Sequence, residues 1–478
     1  MRIMMISSEA VPYSKSGGLG DVASSLSYAL GELGHDVRLV IPNYGLTDDT
    51  QFETLPFSAK VKIGHKTETI NFKEKSDGPV KIYLIDHIWF SGRQGIYGDS
   101  AYAPYNDNLV RFTLLTKGAL ELCKNLKWTP EIFHGHDWTS GFLPQLVKRE
   151  NFSDSKVVFT IHNLAYQGVF PRLDLLLADV GVDESFFEES GKTKRVNMMK
   201  AALEGADVIT TVSPSYANEI QEEEYGCGLD GLLRRRRKEL FGILNGIDTK
   251  EWDPDTDPLL KHHYNANNLE GKALLKRELQ QRFNLDIDPN VPLISMISRI
   301  TEQKGFVELL QGSPSTLEQI VGDLPLQFLI IGTGNKEMGE ALKALAELHS
   351  NLSVNLIFSN EAAHLAEAGS DFFLMPSRYE PCGLNQMYSL RYGTIPIARR
   401  TGGLRDSIVD ISQTEGTGIL FDELSMGEIY GAVERAVTLY KSDYERFITI
   451  RKRGMGVDFS WLNSAQEYVR IYNKVLKG

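Results

Sequence analysis

The 478-residue sequence predicts an α/β protein of two halves, each built on a parallel sheet. Three observations carry this. A complete strand–helix–strand unit occupies the first 42 residues, and the second strand follows too soon for anything but a parallel crossover. A second series of short apolar runs begins at Leu293. Between them lies a polar, proline-marked stretch, Trp252-Asp253-Pro254-Asp255-Thr256-Asp257-Pro258.

The first strand is Arg2–Ile6. The loop Ser14-Lys15-Ser16-Gly17-Gly18-Leu19-Gly20-Asp21 follows, then a helix whose Val22, Leu26, Ala29, Leu30 and Leu33 share one face. Gly34 supplies its stop. Val37–Ile41 is a continuous apolar strand ended by Pro42. Val80–Ile85, Glu131–Phe133, Val157–Ile161 and Val208–Val212 read as further buried parallel strands. Tyr44 to Gly78 fits no βα unit. Its alternating Val61 and Ile63, with Phe72, suggest added β structure or an insertion. In the second half the strands are Leu293–Ile297, Leu326–Ile331, Val354–Phe358, Phe372–Met375, Ile395–Ala398 and Gly418–Phe421. The last helix carries Tyr468, Ile471, Tyr472, Val475 and Leu476 on one stripe, which needs a partner surface. Two such halves facing each other bind a ligand in the cleft between them, at the C-terminal ends of the strands.

Composition narrows the partners. The formal net charge of −12 argues against nucleic acid and anionic membrane, so an anionic ligand must be held by a local basic cluster. Three scattered cysteines make neither a disulfide framework nor a zinc pattern, which fits a reducing compartment. The N-terminal apolar run is too short for a signal peptide, and no stretch approaches a membrane span. A cytoplasmic protein is expected.

Several motifs carry chemistry. The first glycine loop is neither G-x-G-x-x-G nor a Walker loop. Its small residues let backbone N–H groups approach an anion at a helix N-terminus, and Lys15 adds a charge. Arg299 and Lys304, in Ser298-Arg299-Ile300-Thr301-Glu302-Gln303-Lys304-Gly305, sit at the mouth of a strand–helix loop. They suit either a diphosphate or a surface ion pair. In Tyr379-Glu380-Pro381-Cys382-Gly383-Leu384-Asn385, the amides of Gly383, Leu384 and Asn385 can face phosphate oxygens, and Glu380 can accept from sugar hydroxyls. No base stands beside Cys382, so it is not read as a nucleophile. His134-Gly135-His136-Asp137-Trp138 puts two imidazoles on one side of a strand. A metal must be considered, but no third ligand appears at typical spacing. Asp137 suits a hydroxyl. His162, ending the next strand, is either a packed histidine or a group that stabilises charge on a substrate. The run Arg234–Arg237 reads as a solvated helix face, the other reading being a site for a polar polymer or a phosphate.

Taken together, these residues resemble the bacterial glycogen and starch synthase family of glycosyltransferases. The resemblance runs the length of the chain: KSGGLGDV at 15–22, HGHDW at 134–138, LDGLLRRR at 229–236, ILNGID at 243–248, SRITEQKG at 298–305, IIGTG at 330–334, EPCGLNQM at 380–387, YGTIPIARRTGGLRD at 392–406 and FSW at 459–461. It implies the GT-B fold of two Rossmann-like domains facing a deep cleft. The domains fall at 1–246 and 247–457, with 458–478 a helix returning to the first. It implies transfer of glucose from ADP-glucose, with UDP-glucose the other candidate, to the non-reducing end of glycogen or another α-1,4-glucan. It implies that configuration is retained and that no metal or cofactor takes part. By the resemblance Lys15, Gly17, Gly18 and Asn245 belong to the donor site, Arg299 and Lys304 hold the diphosphate, and Gly383, Leu384 and Asn385 offer backbone donors. Glu380 binds glucose hydroxyls and His162 lies near the reaction centre. Asp137, Tyr97 and Asp21 line the sugar and acceptor side.

The chain departs from related patterns at two places. Sucrose- and trehalose-type transferases carry E-x7-E, whereas Tyr388 stands eight positions after Glu380. In Ile357-Phe358-Ser359-Asn360-Glu361 the family usually has Gly-Tyr-Asp-Glu, so Ser359 replaces an aromatic near the nucleobase. Two other readings compete. A non-catalytic glucan-binding paralogue is expected to have lost cleft charges, yet Lys15, Arg299, Lys304, Glu380 and His162 are all present. A dinucleotide oxidoreductase lacks its glycine fingerprint and has Pro42 where an acidic ribose ligand is approached.

Overall fold

The computed structural model describes residues 1–99, 103–181, 183–190 and 193–477. The chain divides into two units: Met1–Gly246 with the C-terminal segment from Trp461, and Ile247–Ser460.

Unit 1 contains β1 (Arg2–Ile6), β2 (Asp36–Pro42), β3 (Glu53–Ile63), β4 (Lys66–Asp77), β5 (Val80–Asp86), β6 (Ile132–His136), β7 (Lys156–Ile161), β8 (Val169–Pro171), β9 (Phe187–Ser190), β10 (Thr193–Asn197), β11 (Val208–Thr211) and β12 (Leu240–Gly242). Nine form one sheet in the order β12-β11-β7-β6-β1-β2-β5-β4-β3. The strands from β12 to β5 run parallel, and their crossovers pass through helices except that from β2 to β5, which passes through β3 and β4. The segment Tyr44–Gly78 that fitted no βα unit is the β3–β4 hairpin, laid antiparallel on β5. Ala59, Val61 and Ile63 alternate inward from β3. A separate antiparallel sheet, β8-β10-β9, has no counterpart in the sequence reading.

The first helix, Gly18–Glu32, ends one residue before Leu33 caps it, and Gly34 follows at φ +86°. Its Val22, Leu26 and Leu30 pack with Ile3, Met5, Leu39 and Ile41 in the core of unit 1. The final helix, Trp461–Lys477, joins this same core through Trp461, Ala465, Tyr468, Ile471 and Tyr472, so its apolar stripe has its partner.

Unit 2 contains β13 (Leu293–Ile297), β14 (Gln327–Ile331), β15 (Leu352–Asn355), β16 (Phe372–Met375), β17 (Ile395–Arg399) and β18 (Ile419–Phe421), ordered β15-β14-β13-β16-β17-β18 and all parallel. The predicted strand Val354–Phe358 is corrected to Leu352–Asn355. Its neighbour β14 ends at Ile331, so the ladder stops at the pair Ile331–Asn355. The apolar residues beyond have nothing to pair with, and Phe358 is 93% exposed. Ser359 turns the chain into the helix Asn360–Gly369, accepting from the Ala362 N–H as its N-cap. Among the described residues no helix is long and apolar enough to cross a membrane.

Candidate active-site loops

Each sheet reverses its strand order once, and ligands of open parallel sheets bind beyond the C-terminal strand ends at that reversal. In unit 1 the chain moves one way through β1, β2 and β5 and the other way through β6, β7 and β11, so the reversal falls between β1 and β6. In unit 2 it falls between β13 and β16. The loops at these points are Ser7–Gly17 and Asp137 in unit 1, and Ser298–Gly305 and Pro376–Leu384 in unit 2. Most of the residues singled out from sequence lie on them.

The unit 1 loop is organised by Glu9, a residue the sequence reading passed over. Its buried carboxylate accepts from the Ser16 N–H (2.5 Å), the Ser16 hydroxyl (2.8 Å), the Gly17 N–H (3.1 Å) and the Tyr97 hydroxyl (2.5 Å). Two expectations change as a result. The Gly17 amide is spent on Glu9 and is not a free donor for an anion. The Tyr97 hydroxyl is held between Glu9 and Ser8 (2.8 Å), and its ring packs beside Phe112 and Trp138, so the hydroxyl is not free for a ligand. What remains for a ligand is the N-terminus of helix Gly18–Glu32, which no side chain caps, and Lys15. The Lys15 ammonium is half exposed and pairs with Asp21 at 2.8 Å; burial raises the Asp21 carboxyl above the ordinary aspartate range.

Asp137 carries the strongest mark of function in unit 1. It is buried and sits at φ +55°, ψ 179°, a region that costs a non-glycine residue about 1–3 kcal/mol. Its Oδ1 accepts from the His162 N–H at 3.2 Å. Burial pushes its pKa up to about 7, against the lowering effect of the His162 and Asn163 amides. The folded state therefore holds this proton where the unfolded chain has released it. The resulting stabilisation is fully present below about pH 4 and lost as the pH rises through 7. Asp137→Asn is expected to raise the melting temperature more at pH 8 than at pH 5, by the equivalent of about 2–3 kcal/mol. Thermal scans at both pH values check this; an equal gain at both contradicts it.

Beside Asp137 lie three neutral histidines. Burial lowers His134 and His162 to about 3 and His136 well below its ordinary value. His134 and His136 stack with centroids 4.3 Å apart, as the H-x-H spacing predicts. Both His134 nitrogens are engaged, with the Tyr472 hydroxyl (2.7 Å) and Thr160 Oγ1 (2.6 Å), so it is a strut between β6, β7 and the final helix. His136 Nδ1 meets His162 Nε2 at 3.0 Å. Among the described residues no group of three or more His, Cys, Asp or Glu is arranged to hold a metal.

In unit 2, Lys304 donates to Glu380 Oε2 at 2.5 Å, and Ser377 donates to the same oxygen at 3.0 Å. The Glu380 side chain is 7% exposed and Lys304 20%. Arg299 is exposed and makes no ion pair among the described residues. Gly383 takes φ +70°, and Leu384 caps the helix Asn385–Arg391. The Asn385 side-chain Nδ2 donates to the Ile297 carbonyl at 2.8 Å, tying this helix to the end of β13. Gly402 and Gly403 bring a second helix start against the same loop, with the Gly403 N–H donating to the Glu380 carbonyl at 3.0 Å.

Asn245 lies at the C-terminal edge of unit 1, buried, with its Oδ1 unpartnered among the described residues. In the arginine run Arg234, Arg235 and Arg237 are exposed, as a solvated face requires. Arg234, Arg235 and Arg236 pair with Asp230 (2.6 Å), Glu204 (3.3 Å) and Glu239 (3.4 Å), and Arg236 also donates to the Leu203 and Ala206 carbonyls.

Two parallel-sheet units, each with charged side chains gathered at its reversal loop, define the architecture of the two-domain nucleotide-sugar glycosyltransferases. Residues 2–235 match the starch synthase catalytic domain, and residues 278–453 match the glycosyl transferases group 1 domain. Glycogen synthase of Treponema denticola is 42% identical over 99% of this chain and 98% of its own. Glycogen synthase of Myxococcus xanthus is 42% identical over the whole of both. The catalytic domain of starch synthase IV from Arabidopsis thaliana, solved with ADP and acarbose, superposes with a TM-score of 0.90 at 31% identity, covering 100% of this chain and 99% of that one. Sucrose-phosphate synthase of Thermosynechococcus elongatus, at 17% identity and a TM-score of 0.62, shares the fold. The chain belongs to the glycogen and starch synthase family and is an enzyme of that family.

Proposed function

We propose that this enzyme transfers glucose from ADP-glucose to the non-reducing end of an α-1,4-glucan, with retention of configuration and release of ADP. The observation that carries the reading is the Arg299–Lys304–Glu380 constellation at the unit 2 reversal, in a chain 42% identical to glycogen synthases along its length. Departure of a nucleoside diphosphate concentrates negative charge on its terminal phosphate. Arg299 offers a planar fork and Lys304 a point charge there, and the amides at Gly383, Leu384 and Asn385 add dipoles. Lys15 and the uncapped helix start beside it supply the corresponding positive end in unit 1. Glu380 accepts from glucose hydroxyls, and in unit 1 Asp137 and His162 are the residues suited to sugar hydroxyls. The bound ADP of the starch synthase IV structure supports the adenine donor.

The base needs an apolar face, and Ser359 is spent as a helix cap. Phe358, one residue earlier and 93% exposed, supplies that face. A stacked base is worth about 1–3 kcal/mol, so Phe358→Ala is expected to raise the KM for ADP-glucose roughly 5- to 100-fold with kcat little changed. Initial rates at varied donor check this; an unchanged KM assigns the base elsewhere.

The linkage is tested on the product. Glycogen labelled from radioactive ADP-glucose, then digested with β-amylase, releases its label as maltose if glucose was added by an α-1,4 bond at non-reducing ends. Label that resists digestion overturns the reading.

A further inference from the structure

Of the three neutral histidines, His134 and His136 are buried and His162 is partly exposed; what each offers depends on which ring nitrogen holds its proton. His136 has two nitrogens and one partner. Nδ1 faces His162 Nε2 at 3.0 Å, and Nε2 is buried with no partner among the described residues. One of the two tautomers of His136 therefore buries an unpaired N–H, the other an unpaired lone pair. Orphaned buried donors are the rarer and costlier of the two in folded proteins. The second arrangement requires His136 to carry its proton on Nδ1 and donate it to His162 Nε2. His162 must then carry its own proton on Nδ1, the nitrogen with no partner among the described residues.

We infer that His136 is a positioning residue that locks His162 in the Nδ1–H tautomer, so that His162 presents a neutral N–H donor to an oxygen of the bound sugar. The surroundings favour a fixed arrangement. The His136 ring is stacked on His134, which is itself pinned by Tyr472 and Thr160. The His162 backbone is held separately by Asp137 Oδ1. The main chain of His162 is thus set by Asp137 and its ring by His136. A donor at this place serves a departing oxygen, which has only lone pairs to offer; a bare lone pair there can accept from a hydroxyl but repels a departing oxygen. The inference rests on the proposed glucosyl transfer for its consequence, but not for the tautomer itself.

The test is nitrogen-15 NMR of the full-length protein with labelled histidine, joined to kinetics of two variants. The wild-type His162 resonances, assigned through loss in His162→Gln, are expected to show protonated Nδ1 and unprotonated Nε2. His136→Phe keeps the ring but removes the donor. It is expected to lower kcat about 10- to 100-fold with little change in KM, and to populate the other His162 tautomer. His136→Asn places an amide N–H where Nδ1 stood and is expected to keep kcat within about threefold of wild type and the Nδ1–H tautomer. Protonated Nε2 in wild type overturns the inference, as does wild-type kcat in His136→Phe, or equal losses in both variants. If His136→Phe does not fold, the wild-type tautomer and His136→Asn decide. If the wild-type protein transfers no glucose from any nucleotide sugar, the proposed function fails, and the NMR result alone judges the tautomer.

Discussion

Lys304→Ala lowers kcat for glucosyl transfer about 10³–10⁴-fold. Two effects combine. The first is loss of a charge-assisted contact to the departing diphosphate, worth roughly 1.5–3 kcal/mol. The second is specific to this chain. Lys304 neutralises Glu380, whose side chain is almost fully buried and whose remaining donor at that oxygen is Ser377. Without the lysine, an uncompensated carboxylate faces the developing phosphate charge. Two like charges ~5 Å apart at an effective dielectric near 20 repel by about 3 kcal/mol. Adding Glu380→Gln to Lys304→Ala removes that repulsion and is expected to restore part of the rate, so the two losses are strongly non-additive. Arg299→Ala, with no carboxylate to expose, is expected to show the smaller loss of roughly 10- to 150-fold. Steady-state kinetics of five proteins, the wild type, Lys304→Ala, Glu380→Gln, the double variant and Arg299→Ala, checks the ordering. Wild-type turnover in Lys304→Ala removes the residue from the site.

Gly402→Ala lowers the melting transition of unit 2 by about 10 °C and abolishes activity with it. Gly402 has φ +44°, where a side chain is strained, and a Cβ there would overlap the Glu380 carbonyl oxygen, with the Pro381 carbonyl close behind. A main-chain atom cannot swing aside like the tip of a long side chain. Overpacking costs about 1–3 kcal/mol and the left-handed conformation about 1–2 more. In a unit of this size each kcal/mol moves the transition by roughly 2–4 °C. The control is Gly431→Ala in the helix Met426–Ser442, where the φ is ordinary and the added methyl meets nothing. That change is expected to raise the same transition by a few degrees, because alanine loses less entropy in a helix. Equal behaviour of the two variants contradicts the packing account.

The fold was legible wherever one periodicity repeated. Buried parallel strands announce themselves as short apolar runs followed by glycine or polar residues, and the loops that carry Lys15, Arg299, Lys304 and Glu380 follow those runs directly. Val354–Phe358 misled because its apolar content is not a strand face: pairing is set by where β14 ends, which is not a local property. The sheet β8-β10-β9 escaped because its strands are short and largely polar.

Within the site, legibility tracked sequence distance. The H-x-H spacing placed His134 and His136 on one side, but their partners are Tyr472, Thr160 and His162, at separations of 26 to 338 residues. Glu9 was the larger omission. It stands alone after β1 with no spaced partner, and its role appears only when Ser16, Gly17 and Tyr97 fold over it. One signal was available: a carboxylate in an otherwise small and apolar stretch, directly before a glycine-rich loop, can accept the N–H groups that such a loop leaves open.

The most direct measurement is transfer of labelled glucose to glycogen by the purified protein, with ADP-glucose and UDP-glucose compared in chelator-treated buffer. Transfer from ADP-glucose, well above that from UDP-glucose and undiminished by the chelator, is the predicted result. Glycogen binding with no nucleotide released from either donor contradicts the account.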